Sequence, residues 1–353
     1  MKHESSADPR RCPPARLRSR VGAACVALAL AGCSVSIGIG HFDDGEAVID
    51  PGNADTVAAA AFDTLASLAG PVLGIADEPF RVPADERPRR AIVPGTFDWL
   101  EWIAPVRGAA LPVSGRFSST QTLACDSGMV EITAVFANTV AFAAGDTVEV
   151  DAASCRFGAV LFAGRMAMRV ISASGYPGTS AAWSARVSVD YVDWRTETVT
   201  LPVQARVVNG PVVLDARRLD AVDAVIDFDS PELLVDPVVS GAVRDRRALR
   251  FLSLQFTDRP QAASVSGDLE LVDGRLAGTD LATLRVRSHG VIDLPLSPPA
   301  MPRGVLLASA SDDSAVYADA FDPAQLRLEL DRFLDGFVDA SLLTTWSALR
   351  GLL

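Results

Sequence analysis

The sequence predicts a mainly β protein, a large antiparallel meander forming a sandwich or a partial barrel, with a short N-terminal helix and a C-terminal turn and helix segment. Three observations carry this expectation. From Leu111 onward the chain is built of short alternating or β-branched runs, those runs are separated by Gly, Asp and Pro, and no amphipathic helical stretch intervenes. Strands that follow one another without crossover helices pair most simply as antiparallel neighbours. The apolar positions do not form the clean dyad repeats of a membrane-spanning barrel.

Taken in order, Asp55 to Leu68 places Val57, Ala61, Phe62, Leu65 and Leu68 on one helical face, with Asp55 able to cap the start and Gly70-Pro71 to stop the helix. Pro71 to Pro112 is rich in Pro, charge and aromatic residues and reads as irregular structure packed on the main body. Phe97, Trp99 and Trp102 within it read as a hydrophobic plug in preference to a ligand-stacking platform, because large aromatic side chains mostly serve core packing. Candidate strands follow at Met129 to Phe136, Thr147 to Val150, Ala159 to Ile171, Trp183 to Val192, Thr196 to Val208, Ala224 to Phe228, Ala248 to Phe256, Ser264 to Leu271, Leu281 to Arg287 and Val305 to Ala310. Turns are expected at Gly145-Asp146, Asn209-Gly210, Asp273-Gly274 and Gly278. Val113-Ser114-Gly115-Arg116 and Val265-Ser266-Gly267-Asp268 open two loosely similar stretches, which leaves an internal duplication open. The organisation is a leader over 1–32, a Gly-rich tether over 33–53, the helical and irregular preface over 54–110 and the β domain over 111–353.

At the N-terminus, Arg10, Arg11, Arg16, Arg18 and Arg20 precede an apolar run from Val21 to Leu30. That run is about ten residues long, where roughly 20 are needed to span a bilayer, so it reads as a signal peptide and not as a membrane anchor. It closes on Leu30-Ala31-Gly32-Cys33, small residues before a thiol. The segment from Arg16 to Ser34 resembles the export signal of bacterial lipoproteins. The resemblance implies that residues 1–32 are removed and that Cys33 becomes the N-terminus, its thiol in thioether linkage to diacylglycerol, with two or three acyl chains such as palmitate in all. Ser34, in place of the Asp that signals inner-membrane retention, implies the outer membrane, facing the periplasm. Two or three acyl chains, at about 0.8 kcal/mol per buried methylene, hold a protein on a membrane where one chain would not.

Residues 1–32 hold six of the 32 basic and two of the 44 acidic residues, so the remaining 321 residues carry 26 and 42, a net charge of −16. Such a chain repels phosphate backbones, and a nucleic-acid partner is not expected. Lys2 is the only lysine. After processing no Schiff base, P-loop or Ser-x-x-Lys chemistry is open to the chain. Of the five cysteines, processing removes Cys12 and Cys25 and lipid takes Cys33, leaving Cys125 and Cys155. In an oxidising periplasm this pair is expected to form a disulfide.

The unit Cys125…Gly128…Gly145-Asp146…Cys155, continuing into Gly158 to Met168, resembles a pattern in uncharacterised β-rich envelope lipoproteins of proteobacteria. Pro302 to Leu307, Asp331 to Asp339 and Thr345 to Leu349 add to it. The resemblance implies fold and location and brings no activity. Asp331, Asp335, Gly336 and Asp339 fall at the first, fifth, sixth and ninth positions of an EF-hand-like loop, but Phe333 and Leu342 stand where ligands belong. The expectation is a degenerate turn without metal, its flanks packed on the β body by Phe333, Phe337, Leu342 and Trp346. No cofactor is expected. The retained histidines are His41 and His289, too few for a multi-histidine zinc site and without a Gly-x-Ser-x-Gly elbow for a triad. The leading expectation is a non-enzymatic, lipid-anchored envelope protein with a binding or structural role. Its partners are the membrane, through lipidated Cys33, and an envelope protein or apolar ligand. The alternatives are a carrier of lipid or another apolar ligand, in keeping with a mean hydropathy of +0.24, and a periplasmic hydrolase using carboxylates.

Overall fold

The computed structural model describes residues 48–70, 91–103, 117–137, 142–175, 180–199, 205–220, 222–239, 242–243, 246–259, 263–273, 282–294 and 302–352, all within the compact unit Phe42–Leu353. The basic stretch, Val21 to Leu30, Cys33, His41, the whole 71–90 segment, Val113-Ser114-Gly115, Gly274 and Gly278 lie outside them.

The chain is mainly β, and its strands form one open antiparallel sheet. The path runs β1 (Phe117–Ala124), β2 (Ser127–Phe136), β3 (Thr147–Phe157), β4 (Val160–Ser174), β5 (Trp183–Thr198), β6 (Ala205–Arg218), β7 (Ala224–Val239), β9 (Arg247–Asp258), β10 (Ala263–Asp273), β11 (Ala282–Leu294), β12 (Arg303–Ser309), β13 (Ala315–Ala320), β14 (Gln325–Asp331) and β15 (Ala340–Thr345), with the two-residue β8 (Ala242–Val243) beside β7. Along this path every strand pairs with its predecessor, the meander expected.

Period-2 patterning sets the two faces. In β14, Leu326, Leu328 and Leu330 are buried while Gln325 and Arg327 are exposed. In β5, Ala185, Val187, Val189 and Tyr191 point inward, then the register shifts between Tyr191 and Trp194. That bulge restores Trp194 and Thr196 to the buried face. The outer face carries cross-strand pairs such as Arg165–Glu149 at 3.3 Å and Arg285–Asp268 at 3.0 Å, exposed and worth little individually.

The inner face is covered by helices α1 (Ala54–Ala69), α2 (Ile92–Ile103) and α3 (Trp346–Gly351). Fourteen strands at about 4.8 Å spacing would extend roughly 60 Å if flat, whereas α1 is only about 24 Å long. Inward residues from Ile132 in β2 to Leu328 in β14 are nevertheless buried, so the sheet wraps around its helices.

α1 differs from the one-sided helix expected, because it is buried nearly all round. Ala58, Ala59, Ala60 and Ala61 let neighbouring elements approach from every side, and the Thr64 and Ser67 hydroxyls donate to Ala60 O at 2.8 Å and Asp63 O at 2.9 Å. Its start is organised by Asp50, whose carbonyl accepts from Ala54 N–H at 3.0 Å, and not by an Asp55 cap. Asp55 Oδ1 accepts from its neighbour, Thr56 N–H, at 2.8 Å.

α2 corrects the irregular reading of Pro71 to Pro112. Pro94 sits in the first turn, where its missing N–H costs nothing, and Val93, Phe97, Leu100 and Ile103 fall on a buried stripe. Asn209-Gly210 is likewise not a hairpin turn. It lies inside β6 at a bulge opposite β7, where a Cβ on Gly210, at φ 122°, would meet Glu232 O at 2.9 Å. The expected strand Thr196 to Val208 therefore spans two strands, the end of β5 and the start of β6.

Candidate functional site

Asp331 closes β14 and Ala340 opens β15, with Leu330 paired to Ala340 across the hairpin. The connecting loop, 332–339, is braced by three carboxylates. Asp331 is fully buried, and its Oδ1 accepts from Phe333 N–H and Asp335 N–H, both at 3.2 Å, while its Oδ2 accepts from Gly336 N–H at 2.8 Å. Asp335 Oδ1 accepts from Phe337 N–H at 2.9 Å and Asp339 Oδ2 from Arg332 N–H at 2.7 Å. Leu334 and Gly336 adopt left-handed backbone, φ 51° and 85°, which reverses the chain twice within three residues.

This frame turns the apolar residues outward. Phe333 is 72% exposed, Phe337 76%, Leu334 43% and Val338 51%. The expectation that Phe333 and Phe337 pack on the β body is thus overturned: their own amides are held by Asp331 and Asp335 within the loop, and the rings are left to solvent. Trp346 does pack inward, edge-on to Phe62 of α1 at 5.1 Å. Asp331, Asp335 and Asp339 are engaged with loop amides, and among the described residues no group of three His, Cys, Asp or Glu side chains converges as a metal site would.

The 310–314 loop joining β12 and β13 shares this rim, since Ala315 pairs with Ser309 on one side and Asp331 on the other. Ser314 Oγ donates to Asp312 Oδ1 at 2.5 Å and accepts from Ile49 N–H at 2.8 Å. Ile49, near the start of the described residues, therefore meets the sheet beside the exposed loop.

Inside, two ion pairs fasten helix to sheet. Arg247 of β9 meets Asp63 of α1 with its side chain 4% exposed, and Arg218 of β6 grips both carboxylate oxygens of Glu101 of α2 at 2.7 and 2.6 Å while lying over the Phe97 ring. Trp99 is 1% exposed and meets Phe162 at 5.6 Å and Trp194 at 5.7 Å, edge to face, so the aromatic cluster plugs the core. Thr96 Oγ1 donates to Ile92 O at 2.5 Å, which makes Tyr191 Oη the donor to Thr96 Oγ1. Burial pushes the Tyr191 phenol far above its usual range.

Cys125 and Cys155 are bonded, S–S 2.00 Å, tying the β1–β2 turn to β3. His289 is exposed on β11. The adjacent Ser288 Oγ accepts from Gly267 N–H at 2.9 Å. Buried Asp146, Asp236, Asp258 and Asp331 stand on separate parts of the sheet and do not face one another as a hydrolytic pair would. Sequence reasoning missed the outward-facing apolar tip; its signal is the pair of dipeptides Phe333-Leu334 and Phe337-Val338 set between aspartates. No family model, curated protein or solved structure matches the chain.

Proposed function

We propose that this chain is a lipid-anchored protein of the outer membrane, tethered through Cys33, that works by contact and not by catalysis. The observation that carries the reading is the rim loop: four exposed apolar side chains on a hydrogen-bonded frame, next to the point where the tether meets the sheet. The lipobox-like Leu30-Ala31-Gly32-Cys33 supports the anchor. The trough that an apolar cargo would use is occupied by α1 and α2, which favours a contact role over a carrier. The dispersed buried acids, each with its own surroundings, weigh against a carboxylate hydrolase. Density-gradient fractionation of the cell envelope tests the reading. The wild-type chain is expected with the outer membrane and the Cys33→Ala chain is expected outside it; identical profiles for the two would end the proposal.

A further inference from the structure

The 332–339 loop is made to meet something apolar. Phe333, Leu334, Phe337 and Val338 are all exposed on this one short loop, and it cannot fold them back without giving up the five amide bonds that Asp331, Asp335 and Asp339 accept. We infer that this tip is a lipid-contact site which enters the surface of the membrane that holds the chain.

Two observations choose a bilayer over a protein as the occupant. Ile49 is bound to Ser314 on the same rim, and only the 16 positions from Cys33 to Ile49 separate the lipidated thiol from that point. Extended, they reach about 55 Å at most, so the anchor holds this rim within that distance of the membrane, nearer than any other point of the described fold is tied. The charges near the tip define the lipid. Asp312, Asp313, Asp335 and Asp339 stand against Arg332, which disfavours anionic headgroups and fits a zwitterionic surface. The two phenylalanines supply the insertion free energy, and Asp335 and Asp339 turn their carboxylates back to the loop amides.

The inference rests on the anchored reading for which membrane is met, and one experiment separates the two. Full-length chain purified from membranes is reconstituted into phosphatidylcholine vesicles brominated in the acyl chains, which quench only indoles within the hydrocarbon region. Native Trp99, Trp183, Trp194 and Trp346 are buried, and Trp102, half-buried against Trp99 and Phe157, sets a background that is read from the chain without the Phe337→Trp change. The Phe337→Trp chain is expected to be quenched, and the Ala324→Trp chain, altered in the exposed turn at the opposite rim, is not. Adding Phe333→Asp to Phe337→Trp is expected to abolish the quench, and exchanging half the lipid for an anionic one to weaken it. Equal emission from Phe337→Trp and Ala324→Trp in vesicles that carry the chain on flotation would overturn the lipid contact, as would protection of the Phe337→Trp indole by a co-purifying protein without any bromine quench. Flotation that is the same with and without Cys33→Ala would instead strike the anchor, and quenching of the Phe337→Trp indole in a chain that also carries Cys33→Ala, added to the same vesicles, still decides the loop.

Discussion

Ile49 and Ser314 stand 265 positions apart, and the backbone N–H of the first donates to the hydroxyl of the second at 2.8 Å. This bond brings the end of the tether to the edge between β12 and β13, one strand pair from the hairpin that exposes Phe333 and Phe337. Ile49 and the apolar tip thus share a rim of the sheet, although they lie near opposite ends of the sequence.

Asp63→Ala removes the α1 partner of a guanidinium that is almost wholly buried. Breaking a buried pair from one side costs about 3 to 5 kcal/mol. Chemical denaturation should report a loss in that range, larger than the loss from Arg165→Ala in an exposed pair.

Burial holds the Asp236 carboxyl above its ordinary value of 3.8, against the opposing hydrogen bond from Arg247 N–H at 3.2 Å. The folded state therefore binds this proton more tightly than the unfolded state. Its contribution is fully present below 3.8 and is lost as pH rises through the folded value. Asp236→Asn keeps an acceptor for Arg247 N–H, so the variant should gain on the wild type between acid and neutral pH; equal slopes of stability against pH would refute this.

Tyr191→Phe deletes the hydroxyl that joins β5 to Thr96 of α2. At neutral pH the loss should be about 1 kcal/mol. Because the folded phenol is held far above its usual range, wild-type stability falls as pH rises past about 10, where the unfolded phenol ionises. Thermal melts of the variant should lack that part of the alkaline decline.

Asp331→Ala takes the shared acceptor from three loop amides. Hydrogen exchange at Phe333, Asp335 and Gly336 should quicken by orders of magnitude while the β4–β7 ladders stay protected. Calorimetric titration of the wild-type chain with calcium should show no micromolar binding, since the same carboxylate oxygens are engaged.

The meander was legible because Val, Leu and Ala alternate with Arg, Asp and Ser along most strands, and the Cys125–Cys155 bond because few thiols remained to pair. Bulges were not. Asn209-Gly210 reads locally as a turn, yet long β5 and β7 ladders on either side keep it in a strand. α2 was hidden by the Pro-rich context around a twelve-residue helix whose stripe depends on the sheet beneath it. The loop site escaped because a Phe in a short turn reads as core, and only the direction of the Asp331 hydrogen bonds shows that it points away. Nothing in the pattern of the sequence told that Ile49 would meet Ser314, since such long-range contacts leave no local periodicity.

The anchor is tested most directly by the intact mass and N-terminal sequence of the mature chain purified from membranes. The account predicts a chain that begins at Cys33 and carries the added mass of diacylglycerol with an amide-linked acyl group. A mature chain that begins elsewhere, or a Cys33 with a free thiol, would contradict it.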